Sequence, residues 1–535
     1  MSEEATATAP PRKASSYAWY ALFVLVIVYI VNFVDRQILS ILVGDIKRDL
    51  GVSDAQIGFL YGTAFAVFYA LFGIPLGRLA DSWYRGRLMA IGLAFWSSMT
   101  AFSGFANSFA MLAAARVGVG IGEASASPAA YSMISDNFPK ERRATALSIY
   151  SSGLYIGGAL SLPIGGLVVS RWTTAYPDPA TAPLGLAGWQ AAFLAVGLPG
   201  LLLALWVLTL REPLRGASDG HPQPVVRPNA WRDFGSELVA ILPPLTLISV
   251  SRIPGALRLN LVAMVIVAAI AFGLYKLTGD APQWGAYGLG IYAIFSWIQS
   301  LRHRDPATYR LIWGSPIVVL MVIAFGSISF VTYATTFWFP HYMEGHFYGG
   351  PLEPARYIDG MAAKEEIGFI LGWSAAFSAA AGVILGGYLS DRWRQHDPRG
   401  RLFVNMLSAI LPIPIVAFML TTDNLAAFYW INPLAHLIAS AWVGAAVATL
   451  QDMVLPRMRA TAGATYILGT TMVGLALGPY FAGKMSVLSG SLKFGIAALY
   501  IMPLFTLLAL WIASRRIGEL EATREQRAGE SARPV

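Results

Sequence analysis

Fourteen apolar runs, most of them near membrane-spanning length, divide this chain, and that pattern constrains the fold before any other feature does. A helix needs about 20 mostly apolar residues to cross a bilayer core of about 30 Å. The runs are continuous rather than alternating, which argues for helices and against a β-barrel. Only 13% of the residues are charged, where soluble domains carry about 25%. The pattern predicts an all-α polytopic membrane protein.

The runs cover 17–43, 55–80, 86–106, 109–136, 142–170 and 187–210, then 254–277 and 284–301, then 308–339, 365–389, 402–421, 425–450, 457–484 and 491–513. A polar, Pro-rich stretch at 211–228 and an amphipathic piece around 231–251 precede the middle pair. Hence a tail at 1–16, a first bundle of six helices at 17–210, a linker with an extra hairpin at 211–305, a second bundle of six at 306–514 and a charged tail at 515–535, expected to be mobile. Fourteen spans are favoured; twelve remain if the middle pair lies on the surface.

The net charge of +8 sits in short loops, which is a topology signal rather than a nucleic-acid footprint. Arg85, Arg87, Arg142, Arg143, Arg302, Arg304, Arg392, Arg394, Arg399, Arg401, Arg457, Arg459, Arg515 and Arg516 fall on one side. That side is expected to be cytoplasmic, with both termini on it. There is no Cys, so disulfides, thiolate metal sites and cysteine nucleophiles are excluded. The six His do not cluster with metal-ligand spacing, so no metal is expected. No Gly-Lys-Ser/Thr phosphate loop is present, so no ATP chemistry is expected either.

Four ionisable residues interrupt spans: Asp35 and Arg36 in the first, Arg116 and Glu123 in the fourth. A charge at the centre of a membrane helix costs about 2.5–3.5 kcal/mol on insertion scales. These four must therefore face protein or a water-filled cavity and pair with one another. Arg116 and Glu123 are seven residues apart, about two turns, and share a helix face. Burial and a neighbouring arginine push a carboxyl's proton affinity in opposite directions, which can place a proton switch near neutral pH. Asp35 and Glu123 are assigned to proton coupling. Arg36 and Arg116, which stay charged, are assigned to pairing with them and to gripping an anionic head group. A static ion-pair network is the alternative.

The two halves share landmarks. Gly77-Arg-Leu-Ala-Asp81 recurs as Gly387-Tyr-Leu-Ser-Asp391, and Arg143-Ala-Thr-Ala recurs as Arg459-Ala-Thr-Ala. Tyr150, Gly153, Gly158 and Pro163 match Tyr466, Gly469, Gly474 and Pro479 at one constant offset. Two related halves with a site between them is a transporter architecture.

Gly77…Asp81…Arg85-Gly-Arg87 resembles the signature loop of the major facilitator superfamily, and Gly387…Asp391-Arg392 its second-half copy. Arg116-Val-Gly-Val-Gly-Ile-Gly and the Gly/Pro pattern from Gly153 to Gly166 resemble its fourth- and fifth-helix motifs. Asn32-x-x-Asp35-Arg36, Gly120-x-Gly122-Glu123-Ala124 and Gln451-Asp…Arg459-Ala resemble the Spinster transporters, here a bacterial homologue. The resemblance spans both halves and lapses over 215–305. It also departs at Ser82, where a basic residue usually follows the Asp.

The resemblance implies a major facilitator fold in a bacterial inner (plasma) membrane, working as a monomer by alternating access. It further implies proton coupling and an amphipathic substrate such as a lysophospholipid or sphingoid phosphate, with Asn32 added to the ion-pair set. Export of other organic anions or drugs is the alternative. A membrane-embedded lipid enzyme would need a catalytic cluster that is not found, and a channel fits the repeat poorly. No cofactor is expected beyond a proton gradient, and the partners are the substrate and membrane lipids, not nucleic acid. Tyr155, Trp338, Trp373, Trp442 and Tyr466 are candidate cavity aromatics. Gly77, Asp81, Arg85, Arg87, Asp391 and Arg392 are candidates for a cytoplasmic lock between halves, with Asp81 capping the helix after Pro456.

Overall fold

The computed structural model describes residues 15–215, 224–226, 228–348, 357–358, 361–455 and 458–529. It is helical apart from one short antiparallel pairing of Tyr357–Ile358 with Met361–Ala362. In chain order the long helical passages are α1 (Ser16–Leu50), α2 (Asp54–Ala80), α3 (Arg85–Ser103), α4 (Phe109–Asn137), α5 (Lys140–Ala175) and α6 (Gly188–Leu208). The linker supplies α7 (Ala230–Ile241), α8 (Ala256–Thr278) and α9 (Ala281–Arg304). The second half is α10 (Pro316–Tyr348), α11 (Ala363–Arg394), α12 (Gly400–Thr421), α13 (Leu425–Asp452), α14 (Thr461–Ser489) and α15 (Leu492–Ser514).

Among the described residues twelve helices are long and apolar enough to cross a membrane, which agrees in number with the twelve-span alternative. α8 is among them; α3 and α9 are not. The reason is composition. α3 opens on Arg85 and Arg87 and carries Ser97, Ser98, Thr100 and Ser103, while α9 carries Gln283, Ser296, Gln299 and a basic last turn.

Local chemistry explains several boundaries. Ser53 and Gln56 form a reciprocal capping box that starts α2. Gly51 closes α1 in the left-handed region, at φ 62°, which glycine tolerates without strain. The run expected at 308–339 is shifted: Pro306–Leu311 forms its own short helix, and α10 starts only at Pro316, since proline favours a first turn. The charged tail expected to be mobile is instead helical at Ile517–Ala522 and Arg524–Ala528. It docks on the second half through Arg394–Glu521 and the Arg310 to Ala528 carbonyl bond of 2.9 Å.

In the first half α3 packs on α4 and α6, α1 on α5, and α2 on α4; in the second, α10 packs on α14 and α15, and α11 on α12 and α13. The halves meet along two seams, α5 against α11 and α2 against α14. Backbones touch there: an added Cβ on Gly372 would lie 2.4 Å from the Ala159 carbonyl oxygen, and one on Gly58 2.4 Å from that of Pro479. α8 and α9 pair as a hairpin, and α9 lies over the α2–α14 seam, with Gly290 against Val67 and Met472. The hairpin's interior is polar: Asn260 donates to Ser296 and Gln299 at 2.9 Å each and accepts from the Tyr292 hydroxyl at 2.6 Å. Its outer face carries exposed Val262, Val265, Ile266, Ile270 and Phe272, as a lipid-facing surface should.

The apolar core shows how the halves close. One cluster runs through the first half into Phe337, Trp338, Tyr342, Ile367 and Leu371 of the second. A separate cluster, around Leu311, Phe325, Leu450, Met453 and Leu510, belongs to the second half at the Arg-rich end. Apolar packing is therefore continuous across the halves at the Arg-poor end, while a third cluster of Val67, Leu71, Ala293, Ile294 and Met472 joins α2 to α14 through α9.

Candidate functional site

The four membrane charges do meet, but not as two equal pairs. Arg36 of α1 binds Glu123 of α4: Nη2 donates at 2.5 Å and Nε at 3.2 Å to the same oxygen, Oε2. Its guanidinium lies over Phe65 at 4.5 Å, Phe33 at 4.7 Å and Tyr69 at 5.3 Å, so aromatic faces replace lost water. Asn32, one turn back, accepts from Arg36 Nη2 at 3.5 Å. Arg116 donates instead to backbone, to the Asp35 carbonyl at 3.3 Å and the Leu60 carbonyl at 3.4 Å. Asp35 turns toward α3, where Trp96 Nε1 donates to its Oδ2 at 3.1 Å and Thr100 lies beside it. Asp35 and Arg116 are fully buried at 0% exposure, while Arg36 keeps 7%. Of the four, Arg36 keeps the most exposure, and Asp35 and Arg116 are fully enclosed.

Glycines permit this layer. A Cβ on Gly120 would meet the Phe65 carbonyl at 2.5 Å, and one on Gly122 the Trp96 Cβ at 2.7 Å. The Arg116…Glu123 stretch thus presses α4 onto α2 and α3, which aims Glu123 at α1. Gly77, a lock candidate, plays no such part in this state: a Cβ there would meet only Pro128, at 3.9 Å.

The aromatic candidates divide. Tyr155 and Tyr466 are half-buried, and Trp373, 38% exposed, stacks on Phe377 with centroids 5.8 Å apart. Trp338 is core: its Nε1 donates to the Pro479 carbonyl at 2.9 Å. Trp442 packs with Tyr466 inside the second-half core.

At the Arg-rich end, Arg85 binds Asp136, Glu212 at 2.6 Å and Ser132 at 2.7 Å, all in the first half or the linker start. The repeat reproduces this clasp: Arg401, at the matching place on α12, binds Asp452 and Asp391. Among the described residues the Arg392 side chain reaches Tyr388, and Arg87 lies over the Tyr84 ring. Pro456 and Arg457 lie outside the described residues, and the capping expected of Asp81 there with them.

Among the described residues the ion pairs that join the halves are at the other end. Lys364 of α11 binds Asp45 of α1 and, at 3.3 Å, Glu344 of α10. His341 bridges Glu344 at 3.2 Å and Lys47 at 3.3 Å. Lys47 binds Asp54 at 2.5 Å, and Asp54 accepts from Ser486 of α14 at 2.6 Å. Lys364, Asp45 and Glu344 have side-chain exposures of 7%, 9% and 2%. Glu344 was a readable signal, an acid at the end of a long apolar run. Among the described residues no group of His, Cys, Asp or Glu could hold a metal.

Comparison with known proteins bears on the family and the fold. The family model described as Major Facilitator Superfamily matches residues 25–479. An MFS-type efflux pump of Mycolicibacterium smegmatis is 26% identical over 508 residues, covering 93% of each chain. The human protein spinster homolog 1 is 25% identical over 476 residues, 87% of this chain and 73% of that one. A solved bacterial homolog of the human lysosomal transporter Spinster, inward-facing and occupied, superposes with a TM-score of 0.63 at 24% identity, covering 96% of this chain and 99% of the other.

Proposed function

Since the chain belongs to the major facilitator superfamily and is an integral membrane transporter of small substrates, we propose that it couples proton movement to alternating-access transport of an amphipathic, anionic or zwitterionic substrate. Lysophospholipids and sphingoid-type phosphates are the substrate class. The observation that carries this reading is Arg36, held by Glu123 among Phe33, Phe65 and Tyr69 and the least enclosed of the four membrane charges. A fixed guanidinium ringed by aromatics suits a phosphate head group attached to an apolar chain.

The coupling follows from competition. With Glu123 ionised, Arg36 is occupied. Protonating Glu123 removes its charge and frees the guanidinium for an incoming anion. Asp35, sealed beside Trp96, is the second proton carrier, and its charge state is felt by Arg116. The continuous apolar core and the Lys364 cluster support a state closed at the Arg-poor end. With the Arg-rich loops cytoplasmic, that state faces inward, as a monomer in a bacterial inner membrane with both termini inside. In the opposite state Asp81 would help lock the Arg-rich end.

Liposomes carrying the protein, an imposed pH gradient and labelled lysolipids test the reading. Asp35→Asn and Glu123→Gln should each abolish gradient-driven uptake while keeping counterflow exchange. Wild-type gradient-driven uptake in either variant sinks the assignment. The similarity to an efflux pump along 93% of both chains favours a second reading, export of other organic anions or drugs. It gains if the liposomes ignore lysolipids and move hydrophilic anions.

A further inference from the structure

The α8–α9 hairpin belongs to the first half by its packing. α7 and α9 both lie against α2, and Val67 and Leu71 of α2 share an apolar cluster with Ile241 of α7 and Ala293 and Ile294 of α9, with Met472 of α14 at its edge. The chain before the hairpin is tied to the same half: Glu212 accepts from Arg85 Nε at 2.6 Å, and Arg215 donates to the Ala80 carbonyl at 2.8 Å. At its Arg-poor turn the hairpin reaches the other half. Asp280 Oδ2 accepts from Lys484 Nζ and from the Tyr480 hydroxyl of α14, each at 2.8 Å. Lys484 also donates to the Thr278 carbonyl, and the Trp284 ring meets Tyr480 edge-on, with centroids 5.6 Å apart.

The internal repeat isolates this contact. The two seams are built alike: Gly58 and Gly62 of α2 press on Pro479 and Leu475, as Gly368 and Gly372 of α11 press on Leu162 and Ala159. The offset that matches Tyr150 to Tyr466 sets Ile164 and Val168 of α5 against Tyr480 and Lys484. α14 thus carries a hydroxyl and a charge where its counterpart carries two apolar residues. A lysine within a span needs a partner, and the hairpin supplies it.

α14 is also broken beside this contact. It winds as a π-helix over Thr470–Leu475 and restarts at Gly478, whereas α5 runs as one helix over Lys140–Ala175. Such a break frees backbone carbonyls, and the Thr63 hydroxyl of α2 donates to that of Ala476 at 2.6 Å. Gln283 of α9 stands 2.8 Å from the same hydroxyl. With its amide turned so that Nε2 donates, one chain of hydrogen bonds runs from the hairpin through α2 to α14. The segment beyond the break, Gly478–Ser489, holds both Tyr480 and Lys484.

We propose that the hairpin is an arm of the first half that latches the Gly478–Ser489 segment of α14 through Asp280, and so holds the Arg-poor end closed. Asp280 and Lys484 are positioning residues in this latch, and the π-wound stretch is the joint on which the segment turns. In the opposite state the segment leaves the arm, and both charges meet water. The 211–305 linker is then part of the gate rather than a passive connection. The inference rests on the alternating-access reading.

The test uses the full chain in phosphatidylethanolamine/phosphatidylglycerol vesicles, needs no substrate and exploits the lack of native Cys. Nitroxides on Phe102→Cys of α3 and Leu488→Cys of α14, both exposed, report separation of the halves at the Arg-poor end by pulsed EPR. Ile270→Cys of α8, also exposed, paired with Phe102→Cys, reports whether the arm stays with the first half. Asp280→Asn and Lys484→Met should each lower the population with the ends together by about threefold or more. The double variant should do no more than either single one, because both remove one contact. Lys484→Arg should keep the wild-type population, and the Ile270/Phe102 distance should stay the same throughout. The proposal is overturned if both single variants match wild type, if their effects multiply in the double variant, or if the Ile270/Phe102 distance lengthens as the ends part. Lys364→Met, which acts on a different contact, separates this failure from that of the reading beneath it. If it parts the ends and the latch variants do not, the latch falls and alternating access stands; if none of them does, both fall. Should Lys484→Met fail to yield monodisperse protein, Tyr480→Phe takes its place beside Asp280→Asn under the same outcomes.

Discussion

Lys364→Met is the sharpest perturbation of the gate at the Arg-poor end. Methionine keeps most of the volume and removes the charge. Asp45 then keeps only the half-exposed Arg48, at 3.1 Å, and Glu344 only His341, at 3.2 Å, and both lose their shared buried cation at side-chain exposures of 9% and 2%. Removing one partner of a buried pair costs about 3–5 kcal/mol. Protonation of a carboxylate and water entry at the rim relieve part of this, so about 1.5–3 kcal/mol should fall on the closed state. In the opposite state the acids separate and meet water, so that cost disappears. The difference shifts the equilibrium away from closure at this end by about 10- to 150-fold. Nitroxides on Ala175→Cys and Ser489→Cys, exposed positions of α5 and α14, read that separation directly. Neutralising the acids as well, with Asp45→Asn and Glu344→Gln, should recover much of the closed population, since no unpaired charge remains. A wild-type distance distribution for Lys364→Met refutes the reasoning; so does a triple variant no more closed than the single one.

Three further outcomes follow from the same geometry. Gly372→Val places side chain where backbone now lies 2.4 Å from an added Cβ, so cross-linking across the α5–α11 seam should slow while the fold survives, as checked by gel filtration. Asn260→Leu removes the centre of the hairpin's polar network and should lower stability by about 0.6–1.7 kcal/mol, read as a lower thermal midpoint in detergent. Arg36→Lys keeps the charge but loses the paired bonds to Glu123 and the flat contact with Phe65; lysolipid affinity should drop by about tenfold or more, measured by competition binding.

The sequence made most of the architecture legible, because hydropathy and the internal repeat are local, periodic signals. It also located Arg36 and Glu123, since charges inside apolar runs are conspicuous. What it missed has a physical reason. Arg116 reads as an ion-pair partner by helical spacing, yet in three dimensions backbone carbonyls of Asp35 and Leu60 reach it first. Asp45 and Lys364 lie 319 positions apart and look like ordinary loop charges until two halves fold together. Trp338 has the composition of a cavity residue and the position of a core one; an aromatic in a span does not announce which side of a helix packs. The docked tail was misread because low hydropathy does not exclude helices held by arginines at the membrane surface.

The central claim is that proton and substrate are coupled through Glu123 and Arg36: the Glu123 carboxylate competes with the substrate for the guanidinium, and a proton on Glu123 releases it. It is tested most directly by enclosing a pH-sensitive dye in liposomes that carry the protein, adding a lysophospholipid without any imposed gradient, and recording internal pH. The account predicts substrate-dependent proton movement in wild type, and none in Glu123→Gln even though substrate still exchanges. Lysophospholipid transport that leaves internal pH unchanged in wild type, or proton movement that persists in Glu123→Gln, contradicts it.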